Sequence, residues 1–128
     1  MGAILIIDDD ETNNFYVKYV FSKLNITENI YFALNGQDAL QIINELRNKG
    51  VSIDLILLDI NMPIMNGFEF LDEYEKLPKN KESKTVITMM SSSVNSADMK
   101  KSNSYKSIDL RIEKPLNEEK MKAILQTL

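Results

Sequence analysis

An α/β domain, with five parallel strands between layers of helices, is predicted by three observations. Strand-like apolar runs and helical segments alternate five times along the chain. The strongest runs are continuously apolar rather than alternating, as strands buried on both faces are. The chain has 128 residues, one domain's worth (1–128), and long enough to bury a core without covalent staples. Parallel strands joined through helices take right-handed crossovers, which put helices on both faces of the sheet.

Each element follows from its residues. Ala3–Ile7 (AILII) is an apolar run that stops at Asp8, and reads as a first buried strand. Glu11 to Leu24 carries Phe15, Tyr16, Tyr19, Val20 and Leu24 at helical spacing, the expected buried stripe. Ile30–Leu34 is a second strand, ended by the turn pair Asn35-Gly36. Gln37 to Asn48 sets Ala39, Leu40, Ile43 and Leu46 on one helical face, with Gly50 as the stop. Ile53–Leu58 is a third buried strand, stopping at Asp59.

An irregular stretch from Asp59 to Gly67 precedes a helix over Phe68 to Leu77, with Pro78 just beyond. A charged loop spans residues 79–84. Val86–Met90 is a fourth strand, closed by Ser91, Ser92 and Ser93. Val94 to Tyr105 is a helix poor in apolar residues, as a segment able to shift would be. Ile108–Ile112 is a fifth, less apolar strand, placed near a sheet edge. Asn117 is a good N-cap, followed by Glu118 and Glu119, and Met121, Ile124, Leu125 and Leu128 form the face of a last helix.

Composition removes much chemistry. There is no Cys and no His, so thiolate and imidazole nucleophiles, Fe–S clusters and His- or Cys-type zinc are excluded. Carboxylates, hydroxyls, Lys, Arg and the backbone remain, and a metal would be a hard cation on oxygen. The net charge of −4 argues against a nucleic-acid surface, which needs a basic stripe. The longest apolar run is too short to span a membrane, and no charged segment leads into an apolar one at the N-terminus. A cytoplasmic location is expected.

The strand ends concentrate polar groups. Asp8 and Asp9 follow the first strand and Asp59 ends the third. In open α/β sheets, ligands bind beyond the carboxyl ends of the strands, where strand order reverses. If the first and third strands are neighbours there, the carboxylates converge. Two of them about 5 Å apart repel by about 3 kcal/mol at an effective dielectric of about 20. A cation or a bound proton relieves that repulsion, and Mg²⁺ on such a site usually also takes a phosphoryl oxygen. An Asp at a strand end also serves as turn former or helix cap, but one helix needs only one such carboxylate. Ser91 at the end of the fourth strand and Lys114 at the end of the fifth add a hydroxyl and an ammonium.

IIDDD at 6–10, LILLDINMPIMNG at 55–67, MMSSS at 89–93 and IEKPL at 112–116 occur in this order. Together they resemble the receiver domain of two-component response regulators, over essentially the whole chain. The resemblance implies a stand-alone, chemotaxis-regulator-like receiver, or an excised one, with a flavodoxin-like sheet in the order 2-1-3-4-5. It implies that Asp59 accepts a phosphoryl group from a phosphohistidine on a histidine kinase or histidine phosphotransfer protein. Asp9, Asp59 and the main-chain carbonyl of Asn61 would hold Mg²⁺, or Mn²⁺ in its place, with Asp8 acting through water. Ser91, with Ser92 as the alternative, would bond the phosphoryl group. Lys114 would pair with Asp59 or its phosphoryl oxygens, and the Lys114–Pro115 bond would be cis. The surface of the fourth helix, fifth strand and fifth helix would switch for a downstream protein target.

Two departures stand out. Arg111 occupies the position, three residues before Lys114, where the family has an aromatic; it is expected to stay outside and contact the partner. Asn66 replaces the commoner Asp before Gly67. The competing readings are a degenerate receiver that binds proteins without phosphorylation, a haloacid-dehalogenase-like phosphatase and a flavodoxin-like carrier. Asn61 stands where such a phosphatase wants a second Asp, and Asp8-Asp9-Asp10 would repel a flavin phosphate.

Overall fold

The computed structural model describes residues 2–78, 84–92 and 96–128. Ten elements alternate: β1 Ala3–Ile7, α1 Glu11–Lys23, β2 Ile30–Ala33, α2 Gly36–Asn48, β3 Ile53–Asp59, α3 Gly67–Tyr74, β4 Val86–Ser91, α4 Ser96–Ser102, β5 Leu110–Glu113 and α5 Glu118–Leu125. The five strands form one parallel sheet in the order β2-β1-β3-β4-β5. This is the expected (βα)5 flavodoxin-like topology, and β5 lies at an edge. The chain crosses from β1 outward to β2, then back past β1 to β3, so strand order reverses between β1 and β3.

Strand alternation divides the core into two layers. Leu5, Ile7, Ile56, Leu58, Ile87 and Met89 pack against Ala39 and Ile43 of α2 and Phe70 and Leu71 of α3. Ile4, Ile6, Leu55, Leu57 and Met90 pack against Val17 and Phe21 of α1 and Met121 and Ile124 of α5. β1 is buried along its whole length, which is why its sequence shows no polar alternation.

Differences from the expected elements have local causes. α1 buries Asn14, Val17, Val20 and Phe21, whereas Phe15 is 76% exposed and Tyr19 52%. Of the five apolar residues at helical spacing, Tyr16, Val20 and Leu24 pack on the core, whereas Phe15 and Tyr19 face outward and Val17 and Phe21 fill the core beside Val20. α3 ends at Tyr74 rather than Leu77, because Leu77 precedes Pro78 and such a residue is disfavoured in helix. β5 begins at Leu110; Ile108 is buried but closes a turn, donating its N–H to the Tyr105 carbonyl. α4 ends at Ser102, and Asn103 to Tyr105 continue only as tight turns. Val94, Ser93 and most of the charged loop, residues 79–83, lie outside the described residues.

The caps are those the sequence offers. Asn35, Asn66 and Asn117 each accept a backbone N–H three residues on. Asn66 and Glu69 complete a reciprocal capping box, so Asn in place of Asp costs the helix nothing. Gly67 serves a different need. A Cβ there would lie 2.6 Å from the Asp59 carbonyl and 2.8 Å from Ile60 Cα. Both are backbone atoms, so a side chain at Gly67 would displace the end of β3. The Gly67 N–H donates to the Ile60 carbonyl at 2.8 Å, which holds α3 against the same loop.

Candidate functional site

The charged groups meet because of strand parity. Ile4 and Ile6, Leu55 and Leu57, and Leu110 and Ile112 all point into the α1–α5 layer. Asp8, Asp59 and Lys114 continue these three rows one step past the apolar core. The reversal of strand order opens the sheet edge at that point.

Structure separates the three consecutive acids. Asp10 is the N-cap of α1, its side chain accepting the N–H groups of Thr12 at 3.0 Å and Asn13 at 3.2 Å. Asp8 is fully buried and Asp9 is exposed. One oxygen each from Asp8, Asp9 and Asp59 lies within 4.8 Å of the other two. Three carboxylates at that spacing, one open to solvent, with no Cys or His anywhere in the sequence, fit a hard divalent cation.

Lys114 lies between two acids. Its Nζ is 2.7 Å from Asp8 Oδ2 and 3.6 Å from Asp59 Oδ1. The closer partner is Asp8 rather than Asp59, the partner expected from the sequence. Asp8 is the carboxylate wholly removed from water, and it needs the strongest donor. Burial pushes the Asp59 carboxyl up to about 6, and the charges of Asp8 and Asp9 push the same way. Lys114 and the Ile60 N–H offset only part of this. Burial alone would lower the Lys114 ammonium, but its hydrogen bond to Asp8 and the charges of Asp59 and Asp8 leave it raised.

Ser91 ends β4, is buried, and lines a cleft of about 170 Å³ together with Asn61, Ser92 and Asp98. Ser92, the alternative hydroxyl, lines the same cleft but is exposed. The Ser91 carbonyl accepts the Lys114 N–H at 2.7 Å, which fixes these two strand ends side by side. The Lys114–Pro115 peptide is cis.

Two residues of the site were missed from the sequence. Asn13 Nδ2 donates to Asp8 Oδ2 at 2.8 Å, and Asn14 Nδ2 donates to the Asp8 carbonyl at 3.0 Å. The available signal was two adjacent Asn residues early in a helix, where Asn is a poor helix former.

Arg111 requires a correction. It is half-buried rather than outside: its Nε donates to Ser102 Oγ at 2.7 Å and its Nη2 to the Ser102 carbonyl at 3.0 Å. Ser102 is fully buried at the end of α4, where unpaired carbonyls favour a cation. Tyr105 adds a second tie. It stacks on Phe68 with ring centroids 5.4 Å apart, and its hydroxyl donates to Asp72 at 2.8 Å. α4 is thus held at its C-terminal end, to β5 and to α3.

A doubly wound sheet with clustered carboxylates, a hydroxyl and a lysine at its carboxyl edge defines a phospho-accepting signalling domain. The chain belongs to the response regulator receiver domain family, whose sequence profile matches residues 4–126. It is similar to the autoinducer 1 sensor kinase/phosphatase LuxN of Vibrio campbellii, 31% identical over 113 residues, which are 88% of this chain and 12% of that protein. The Regulator of RpoS of Escherichia coli is 32% identical over 98 residues, 77% of this chain and 26% of that one. The chain therefore spans about a quarter or less of these relatives. Among solved structures, a two-component response regulator from Cytophaga hutchinsonii superposes with a TM-score of 0.86 at 28% identity, covering 98% of this chain and 94% of the other. One from Legionella pneumophila gives 0.79 at 30% identity, with both chains covered completely. Receiver domains are self-phosphorylating and self-dephosphorylating signalling modules rather than enzymes acting on a separate substrate. No helix among the described residues is long and apolar enough to cross a membrane.

Proposed function

We propose that Asp59 accepts a phosphoryl group from the phosphohistidine of a histidine kinase or histidine phosphotransfer protein, and that α4, β5 and α5 report the event to a downstream protein target. The observation that carries this reading is the convergence of Asp8, Asp9 and Asp59 around Lys114 at the carboxyl edge. Similarity to a sensor kinase supports the choice of donor.

In the transfer, an Asp59 carboxylate oxygen attacks phosphorus in line. The donor's P–N bond breaks, its electron pair leaves with the imidazole nitrogen, and that nitrogen takes a proton. The product is an acyl phosphate on Asp59. Such transfers need positioning and charge neutralisation more than covalent assistance. Asp8, Asp9, Asp59 and the Asn61 carbonyl would hold Mg²⁺ or Mn²⁺, which when bound supplies positive charge against the carboxylates and the phosphoryl oxygens. Lys114 supplies a further charge from just beyond β5, and Ser91 a neutral donor from β4. The reaction belongs to the cytoplasm, with no nucleic acid and no membrane as partner.

Wild type should gain the mass of one phosphoryl group on incubation with acetyl phosphate and Mg²⁺. No gain would leave only the phosphorylation-independent interaction module.

Arg111 sets how firmly the reporting surface rests. Arg111→Ala removes both bonds to Ser102 and leaves a buried hydroxyl short of a donor, so amide exchange across residues 97–102 should rise by about tenfold or more. Phosphoryl labelling should persist, since Arg111 does not touch the acids. Unchanged α4 exchange, read by mass spectrometry, would show that the guanidinium is not the tether.

A further inference from the structure

Lys114 and Asn13 donate to the same oxygen of Asp8, at 2.7 and 2.8 Å. The other carboxylate oxygen accepts the Asp10 N–H at 2.9 Å. We infer that Asn13 is a positioning residue for phosphoryl transfer: it holds the Asp8 carboxylate in place while Lys114 turns from Asp8 towards the incoming phosphoryl group. The inference rests on the reading of Asp59 as acceptor.

Lys114 Nζ already lies 3.6 Å from Asp59 Oδ1. A phosphoryl group on Asp59 adds negative charge on that side, so the ammonium moves towards it. Asp8 is fully buried, and a buried carboxylate oxygen deprived of its donor is costly. Without Asn13, Oδ2 would then have to turn away to find another partner, and the acid facing Asp59 would lose its orientation. Asn13 prevents this because its amide stays when the lysine leaves. It is placed for the task by its own backbone: its N–H is held by Asp10 Oδ1 at 3.2 Å in the first turn of α1. Asp10 and Asn14 do not share the role. The Asp10 N–H serves the other carboxylate oxygen and Asn14 the main-chain carbonyl, so neither takes over what Lys114 gives up.

The test compares wild type, Asn13→Ala and Asn13→Gln in two measurements. One is the rate of phosphorylation by acetyl phosphate at saturating Mg²⁺. The other is the Mg²⁺ dissociation constant by calorimetry without phosphodonor. At rest Lys114 still holds Asp8, so Asn13→Ala should slow phosphorylation about tenfold while moving the Mg²⁺ constant by less than about threefold. Asn13→Gln keeps an amide donor and should recover at least half of the loss on a logarithmic scale. A rate in Asn13→Ala within about twofold of wild type overturns the inference. So does an equal loss in rate and Mg²⁺ affinity with no recovery in Asn13→Gln, since that marks a merely structural role. Asn13→Leu, similar in size and without a donor, replaces Asn13→Ala if the latter does not fold. Wild type that takes no label refutes the Asp59 reading and this inference with it. Labelled wild type with equally labelled variants refutes the Asn13 role alone.

Discussion

Asp59→Asn is expected to take up no phosphoryl group from acetyl phosphate and Mg²⁺, and to be more stable than wild type when metal is absent. Both effects come from one carboxylate. Loss of labelling follows because the amide cannot form the acyl phosphate; a mutant labelled as fully as wild type would remove Asp59 from the reaction. The gain in stability follows from the acid cluster. In the folded protein, burial and the charges of Asp8 and Asp9 raise the Asp59 carboxyl from 3.8 to about 6. A raised carboxyl means that folding favours the protonated form. Its stabilising contribution is therefore complete below pH 3.8 and is lost as pH rises through about 6. At 1.36 kcal/mol per unit, ionising Asp59 in the metal-free fold costs up to about 3 kcal/mol at neutral pH. The side chain is only 11% exposed, so solvent screens little of this.

Metal-free wild type should accordingly lose stability between about pH 4 and pH 6.5, in a step that Asp59→Asn lacks. Mg²⁺ at about 100 times its dissociation constant should restore about 2.7 kcal/mol to wild type. It should do far less for the mutant, whose metal site has lost a carboxylate. Urea unfolding across this pH range, with chelator and with Mg²⁺ at fixed ionic strength, measures all of it. A wild-type stability indifferent to Mg²⁺, or a metal-free Asp59→Asn less stable than wild type, would mean that the three acids do not act as one site.

Lys114→Ala should be the most destabilising single change in the site. It leaves Asp8, wholly buried, without its cation. Breaking a buried ion pair from one side costs about 3–5 kcal/mol. The lower end applies here, because Asn13 and the Asp10 N–H still donate to the carboxylate. The loss should shrink when Asp8→Asn is added, since the uncompensated charge goes with it. In a double-mutant cycle, Asp8→Asn with Lys114→Ala should lie closer to wild type than Lys114→Ala alone, by at least about 1 kcal/mol. A double variant as unstable as the sum of the two singles would place the cost in lost packing of the lysine stem. The lysine's effect on Asp59 runs the same way: without it the Asp59 carboxyl should titrate higher still, because among the described residues Lys114 is the one side chain lowering it.

The order and type of the elements were legible in the sequence because they rest on local periodicity. AILII and LILL read as strands buried on both faces, and their acidic stops marked the sheet edge that binds ligands. Asn117 followed by two glutamates announced α5, and α5 begins there. α1 was harder. Its outer face carries Phe15 and Tyr19, so apolar content alone found Tyr16, Val20 and Leu24 but drew the buried face too wide and missed Val17 and Phe21. Only packing against α5 and the sheet selects Val17 and Phe21 instead.

The sequence by itself determined that this protein is a doubly wound domain with acids, a hydroxyl and a lysine at successive strand ends. Those are properties of runs a few residues long, and burial on both faces of a parallel sheet writes them directly into composition. Only the tertiary structure decided what each of these groups does for its neighbours. Asp8, Asp9 and Asp10 look alike in the chain, yet one is buried, one is open to solvent and one caps a helix. Lys114 binds Asp8 across 106 positions of sequence, and Arg111 turns inward to Ser102. Partner choice of this kind is set by which carboxylate or carbonyl loses its water when the layers close. That loss depends on the packing of the whole domain.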